Sequence, residues 1–224
     1  MKKTYQGVLF DLDGTLLNTI NLYGYLVNQL LEEYGFPGHT LDDYKSFIGS
    51  GTRNLIKRSL PAEKQTEDHI APMVERFKEL YEKHYTEKCK AYKGIRETLI
   101  SLKSSGVRLG VLTNKVHYLA VACVKHYFPE VRFDMVIGQS KEYRKPEPSG
   151  AIALAGKFGL PMADIVMIGD TEVDIQTAKN AGMDSIAVSW GFRKKEALQA
   201  ENPTYMIDTC KELQSILLAV TSCS

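Results

Sequence analysis

Short apolar runs alternate with amphipathic stretches along most of the chain. Runs that predict strands cover residues 7–10, 108–112, 135–137, 165–168 and 185–188, with a weaker one at 205–207. Apolar residues spaced three or four apart, the period of a helix buried on one face, predict helices near 95–105, 116–127, 148–158, 171–181 and 211–220. Strands that alternate with helices predict a parallel sheet.

The segment after the first strand follows only the helical period. Apolar positions predict one helix over 23–34 and another over 70–81, with a short helix at 54–59 and a glycine-broken loop at 47–53. The predicted fold class is therefore α/β: a doubly wound parallel-sheet, Rossmann-like core formed by residues 1–17 and 89–224, with an inserted α-helical domain at 18–88.

Composition and charge narrow the function classes. Of 224 residues, 44% are hydrophobic and 25% are charged, values typical of globular proteins rather than disordered chains. The net charge of +1 provides no general field for nucleic acid or an anionic membrane, so we expect neither as a partner. Apolar runs such as 216–220 are far shorter than the ~20 residues of a membrane span.

The cysteines agree with an intracellular location. Cys89, Cys123, Cys210 and Cys223 include no C-x-x-C pair, which argues against a zinc site or a redox couple. We therefore predict free thiols in a reducing cytoplasm, with Cys223 on a frayed terminus.

Candidate chemistry is concentrated where the predicted strands end. These positions carry Asp11-Leu12-Asp13-Gly14-Thr15, Thr113-Asn114 and Gly169-Asp170 with Asp174, while Lys145 precedes the helix at 148. Each group alone is typical of a turn or a helix cap. In a doubly wound sheet, however, ligands bind beyond the carboxyl ends of the strands, so we expect these groups to meet at one edge.

Carboxylates that converge repel each other unless a divalent cation neutralises them, and oxygen ligands of this kind suit Mg²⁺. Asp11 is then the candidate nucleophile, forming an acyl phosphate, and Asp13 the candidate general acid and base. Asp170 would ligate the metal directly, and Asp174 would orient the metal or its waters.

The remaining polar groups fit the handling of a phosphoryl group. Thr113 and Asn114 are predicted to donate hydrogen bonds to its oxygens, and Lys145 to supply fixed positive charge. Together, the residues predict transfer of a phosphoryl group to an aspartate.

The four motifs, in this order, resemble those of the haloacid dehalogenase superfamily of aspartyl-nucleophile phosphatases. They are D-x-D-G-T at 11–15, the threonine at 113, the lysine at 145 and G-D-x-x-x-D at 169–174. The resemblance implies that the insert is an α-helical cap. It also implies that Asp11, Asp13, Asp170 and Asp174 hold Mg²⁺, Asp13 through its backbone carbonyl.

The nearest likeness is to the phosphoglycolate phosphatase-like subfamily and its pyrophosphatase relatives, through residues 112–115, 145–146 and 190–192. The acid at position 13 favours phosphoester hydrolysis, since the dehalogenases of this fold lack it. Asn18 departs from the subfamily, which often has Asp at this hinge position. The departure bears on cap closure or on the substrate.

The substrate is expected to be a small phosphorylated metabolite, phosphoglycolate first, then pyrophosphate or a sugar phosphate. Arg53, in the loop 49–53, is a candidate for binding an anionic leaving group, although the loop could also be a simple connector. Asn114 and Lys115 are the other predicted substrate-binding residues. We expect a monomer or a weak homodimer.

Two other functions remain open from the sequence. A β-phosphoglucomutase-like mutase would use the same fold. A phosphoacceptor signalling domain would explain the acids, threonine and lysine, but neither the second acid of the D-x-D pair nor the helical insert.

Overall fold

The computed structural model describes residues 3–218. Within this range the strands are β1 (Gly7–Phe10), β2 (Leu17–Asn18), β3 (Lys90–Ala91), β4 (Arg108–Val116), β5 (Met135–Gln139), β6 (Ile165–Gly169), β7 (Asp184–Val188) and β8 (Tyr205–Ile207). The helices are α1 (Ile20–Glu33), α2 (Leu41–Phe47), α3 (Thr52–Ser59), α4 (Glu67–His84), α5 (Ile95–Ser104), α6 (His117–Tyr127), α7 (Ser149–Phe158), α8 (Glu172–Ala181), α9 (Lys195–Ala200) and α10 (Cys210–Leu217).

Parallel strands form the main sheet in the order β5-β4-β1-β6-β7-β8. At the centre, Leu9 of β1 lies opposite Gly110 of β4 and Met167 of β6. The chain runs from β1 outward through β4 and β5, then crosses back to β6 on the other side of β1. The carboxyl end of β1 is therefore the point where the strand order reverses, at which such sheets bind ligands. The predicted α/β fold class is confirmed.

Alternating side chains of β1 anchor the two faces of the sheet. Val8 and Phe10 belong to the larger apolar cluster, together with Leu99 of α5, whereas Leu9 packs in a second cluster with Leu154 of α7. The β1 side chains are inaccessible to solvent. Burial of an apolar side chain of this size contributes roughly 1.5–3 kcal/mol, so the strand that ends at Asp11 is firmly fixed.

Helices α1–α4 form the insert between two short antiparallel strands. In this ribbon, Leu17 of β2 lies opposite Ala91 of β3, and Asn18 opposite Lys90. The predicted first residue of the insert, 18, lies in β2, and its predicted last residue, 88, lies two residues before β3. The domain limits themselves stay a prediction. Inside the insert, the rings of Tyr23 and Phe77 stack with their centroids 5.8 Å apart.

Several elements differ from the sequence-based prediction. Helix α2 was not predicted, because it is a single short amphipathic segment; Thr40 and Asp43 form a capping box at its start. Strand β4 continues through the predicted turn at 113–114 to Val116, with a break in its register to β5 after Leu112. Helix α9 was also missed.

The terminal helix begins at Cys210, one residue before its predicted start, and its predicted last residues, 219–220, lie outside the described range. Cys89, Cys123 and Cys210 are free thiols, while Cys223 lies outside the described residues. No helix in the described range is long and apolar enough to cross a membrane.

Candidate active site

Three buried carboxylates meet at the carboxyl edge of the sheet. Asp11 follows β1 directly, Asp170 follows β6, and Asp174 lies in the first turn of α8. One oxygen from each lies within 4.8 Å of the others. The Asp11 amide donates to the Ile168 carbonyl at 2.9 Å, which continues the pairing of β1 with β6 past the end of the strand. The two neighbouring strands therefore deliver two of the three acids to the same point.

Asp170 is held by groups from two loops. The Thr15 hydroxyl donates to one carboxylate oxygen at 3.0 Å, and the Phe192 amide donates to the other at 2.8 Å. Gly14 and Gly191 lie so close that a Cβ on either would fall 2.2 Å from an Asp170 side-chain atom. The 190–192 segment, singled out from the sequence without a role, thus helps to fix this acid.

Lys145 supplies a positive charge within the acid cluster. Its Nζ donates to Asp11 at 2.7 Å and to Asp174 at 2.5 Å, and all three side chains are buried. Burial disfavours the charged ammonium, but the two carboxylates outweigh this effect and raise the Lys145 pKa. Its charge cannot balance three carboxylates.

The pKa values of two acids show this excess of negative charge. Burial raises the pKa of Asp11 to about 6, with further contributions from the charges of Asp174 and Asp13 against the opposing effect of Lys145. Burial, together with the charges of Asp11 and Asp174, raises the pKa of Asp170 well above its ordinary value. A hard divalent cation suits these oxygen donors, and the residues therefore fit Mg²⁺.

Asp13 faces a different set of partners. Lys115 Nζ donates to its two carboxylate oxygens at 3.0 and 2.8 Å, and the Tyr23 hydroxyl donates to the second at 2.9 Å. Lys115 also donates to the Tyr23 oxygen at 3.0 Å, and its ammonium lies 4.2 Å from the centre of the Tyr81 ring. The Asp13 side chain is thus not part of the three-acid cluster; its predicted metal contact through the backbone carbonyl stays a prediction.

A small cleft lies between the sheet edge and the helical insert. Its core wall is formed by Asp11, Asp13, Thr113, Asn114 and Lys115, and its insert wall by Tyr23, Ile48, Gly49, Gly51, Thr52 and Leu55. Gly49 and Gly51 have φ of +115° and +87°, a region that favours glycine, and so allow the insert loop to turn over the cleft.

The Asn114 side chain is used differently from the prediction. Its amide nitrogen donates to the backbone carbonyls of Lys145 and Gly49, at 3.0 and 3.2 Å, and its oxygen accepts from the Lys145 amide at 2.8 Å. Both amide hydrogens are therefore engaged in holding loops, instead of pointing to a phosphoryl group. Thr113 lines the cleft, and its hydroxyl oxygen accepts from the Lys115 amide at 3.3 Å. Its predicted hydrogen bond to a phosphoryl oxygen stays a prediction.

Comparison with known proteins decides the family. The family model for haloacid dehalogenase-like hydrolases matches residues 8–188, which include all four motifs and the insert. The chain belongs to this family. The predicted superfamily is thereby confirmed.

Relatives of this hydrolase include a phosphoglycolate phosphatase from Haemophilus influenzae. The two sequences are 32% identical over 228 residues, which cover 97% of this chain and 100% of the relative. A crystal structure from Lactobacillus delbrueckii subsp. bulgaricus, assigned as a phosphoglycolate phosphatase, has a TM-score of 0.89 at 32% identity and covers 97% of this chain and 99% of that one. A structure from Haemophilus somnus with the same assignment has a TM-score of 0.88 at 28% identity, with coverage of 95% and 97%.

Arg53 of this hydrolase lies away from the cleft. Its guanidinium forms an ion pair with Glu67 at the start of α4, and its side chain is 51% exposed. The side chain is not among the residues that line the cleft described above. The expectation that Arg53 faces the leaving group is not met in this structure, because its guanidinium pairs with the Glu67 carboxylate within the insert.

Two residues of the hydrolase carry roles that the sequence did not indicate. Tyr23 follows the helical period of α1 and was expected to be a core residue, yet its hydroxyl reaches Asp13. Arg193 lies in the loop before α9, just after the segment 190–192, and contacts the insert. Sequence analysis would have found Arg193 only if the motif at 190–192 had been extended by one residue.

Proposed function

We propose that this hydrolase is a Mg²⁺-dependent phosphatase that acts on a small phosphate monoester through an aspartyl-phosphate, with phosphoglycolate as the first candidate. The observation that carries the proposal is that two carboxylates only two residues apart in the sequence have different surroundings. Asp11 faces the acid cluster and Lys145, while Asp13 faces the cleft and Lys115. This arrangement supplies a nucleophile and a separate proton-transfer group.

In the first half-reaction an Asp11 oxygen attacks phosphorus, and the bond from phosphorus to the leaving oxygen breaks. Asp13, in its protonated form, gives its proton to that oxygen, so that an alcohol leaves and Asp11 carries an acyl phosphate. Lys145 holds the attacking carboxylate, and Thr113 offers a hydroxyl at the cleft wall. Mg²⁺, held by Asp11, Asp170 and Asp174, would neutralise charge on the phosphoryl group.

In the second half-reaction water attacks phosphorus of the acyl phosphate. Asp13, now a carboxylate, takes a proton from the water as the new bond forms, and the electron pair of the broken bond returns to the Asp11 oxygen. Inorganic phosphate leaves, and both acids regain their starting protonation states. The cycle consumes one water for each ester.

The cleft favours a short, anionic leaving group. Lys115 contributes a buried ammonium to the lining, and Ile48 and Leu55 of the insert add apolar surface. A carboxylate on the leaving group would have to share the Lys115 ammonium with Asp13 and Tyr23, to which it is already bonded. A hexose would have to place several hydroxyl groups against apolar side chains. Two of the predicted substrate-binding residues thus have different proposed roles: Lys115 would contact the leaving group, whereas Asn114 holds loops in position.

The test is turnover of purified protein with Mg²⁺ on phosphoglycolate, pyrophosphate, glucose 6-phosphate and β-glucose 1-phosphate. We expect the highest kcat/KM with phosphoglycolate and a phosphorylated Asp11 peptide in quenched reactions analysed by mass spectrometry. Uniformly slow rates would remove the substrate assignment. Conversion of β-glucose 1-phosphate to glucose 6-phosphate would replace the phosphatase with a mutase.

A cytoplasmic location and a monomeric or weakly dimeric state complete the proposal. The free thiols support the first. Sedimentation velocity at micromolar concentration measures the second, with a single monomer-sized species expected.

A further inference from the structure

Arg193 connects the α/β core to the insert. It lies in the core loop between β7 and α9, and its guanidinium pairs with Glu172, the first residue of α8, at 2.8 and 3.1 Å. On its other side it donates to the backbone carbonyl of Ile48 at 2.8 Å and to that of Lys45. Both carbonyls belong to the end of α2, in the insert. One side chain therefore spans the boundary between the two parts of the molecule.

The Arg193 contact is largely buried, and its charge and hydrogen bonds are matched by specific partners. The Arg193 side chain is only 12% exposed, and Glu172 balances its charge. The carbonyls at the end of a helix have no partner within that helix, so they are available as acceptors. The planar guanidinium matches a carboxylate on one side and two carbonyls on the other, a geometry that a lysine ammonium does not offer.

The position of this contact gives it a consequence for the cleft. Ile48 and Gly49 begin the insert loop that covers the cleft, and Arg193 holds the first of these carbonyls while Asn114 holds the second. Arg193 itself is not among the residues that line the cleft. Its influence on a substrate would therefore pass through the loop.

We propose that Arg193 is a positioning residue that clamps the loop Ile48–Gly51 over the cleft, so that substrate capture depends on a core residue that does not itself line the cleft. The catalytic part of this inference rests on the proposed phosphatase function; the clamp itself does not. Without the clamp, a smaller fraction of molecules holds the loop closed. Apparent substrate affinity falls in proportion to that fraction.

The experiment compares Arg193→Ala and Arg193→Lys with Lys195→Ala as the matched control. Lys195 is a nearby exposed cation that pairs with Asp208. Within residues 3–218 it makes no bond to the insert, so its loss removes charge without touching the loop. Hydrogen exchange is followed for peptides covering 47–53, with a peptide covering Ile165–Gly169 as the internal reference.

For Arg193→Ala we expect faster exchange over 47–53, unchanged exchange in the reference peptide, and KM raised about tenfold with kcat within about twofold. The rise in KM should be similar for phosphoglycolate and p-nitrophenyl phosphate, because loop closure precedes both reactions. Arg193→Lys should fall between wild type and Arg193→Ala. Lys195→Ala should match wild type in both measurements.

Unchanged exchange over 47–53 in Arg193→Ala would overturn the clamp, as would kinetics identical to those of Lys195→Ala. If Arg193→Ala unfolds, Glu172→Gln provides a second variant, which keeps the arginine but removes its charged anchor; it should also speed exchange over 47–53. If wild type hydrolyses neither ester, the proposed function fails, and the exchange comparison still decides on the clamp.

Discussion

The Tyr23 hydroxyl offers a sharp test of how Asp13 is held. Tyr23→Phe removes one oxygen atom, which donates to Asp13 at 2.9 Å and accepts from Lys115 at 3.0 Å. The ring remains, together with its stacking on Phe77. The change is therefore confined to the orientation of the proposed proton-transfer group.

The magnitude follows from what the hydroxyl contributes. A hydrogen bond to a charged group contributes about 1.5–3 kcal/mol, and the lower value applies here because Lys115 still donates to both Asp13 oxygens. We expect kcat/KM for phosphoglycolate to fall roughly tenfold, which corresponds to about 1.4 kcal/mol. For p-nitrophenyl phosphate, whose leaving group needs no proton, the loss should stay under about threefold.

The assay measures both esters on one preparation, with Tyr81→Phe as the control. The Tyr81 ring contacts the Lys115 ammonium, but its hydroxyl is paired with the Cys123 sulfur at 3.6 Å rather than with Asp13. The control should therefore leave the ratio of the two kcat/KM values unchanged. Equal losses on the two esters in Tyr23→Phe, with an unchanged unfolding midpoint, would refute the role given to the hydroxyl.

Three other predictions concern the nucleophile, the metal and the fold. Asp11→Asn should reduce turnover to below about 1% of wild type, because an amide is not a nucleophile toward phosphorus; measurable steady turnover above that level would contradict the assignment. Mg²⁺ at about 100 times its Kd should raise Tm by roughly 5–10 °C, and Asp170→Asn should abolish most of this shift in thermal melts with and without chelator. Asp134 is partly buried, which raises its pKa, but it accepts hydrogen bonds from Lys103, the Leu109 amide and Arg108. These bonds outweigh the burial and lower its pKa. A depressed pKa stabilises the fold above the unfolded value of about 3.9, so Asp134→Asn should cost about 1–3 kcal/mol at pH 7 in urea titrations, and the difference from wild type should shrink as pH falls below about 4. A pH-independent difference would exclude this linkage.

The sequence was sufficient for the elements that obey a local pattern. A buried strand must be a continuous apolar run, and its end is marked by the first polar residues, so Asp11 and Asp170 could be placed at one sheet edge from spacing alone. The doubly wound order then brought Lys145 and Asp174 near them. Helices α2 and α9 were missed because each is short and buries a single side chain, Tyr44 and Leu198 respectively, so that no repeat of apolar positions marks them.

Side-chain partners far apart in the chain were beyond the same reasoning. Arg53 carries a charge suited to binding an anion, but whether it faces the cleft depends on how α3 packs against α4. This packing places Glu67 beside Arg53. Asn114 follows Thr113, a predicted phosphoryl-binding residue, yet its amide bonds to two loops that come from distant segments. Pairwise geometry of this kind has no local sequence signal.

The different surroundings of Asp11 and Asp13 support the different roles proposed for them. Asp11 stays within the core, among acids and Lys145. Burial raises its pKa to about 6, and the Lys145 ammonium opposes this rise, as a bound Mg²⁺ would. Asp13 is bonded by Tyr23, which belongs to the inserted helices, and by Lys115, which belongs to β4. The proton-transfer group is thus positioned jointly by the core and the insert, whereas the nucleophile needs the core alone. A displacement of the insert that moved Tyr23 would then impair leaving-group protonation while leaving the attacking carboxylate in place. Loss of the Arg193 clamp, by contrast, would act on the loop over the cleft and therefore on substrate capture.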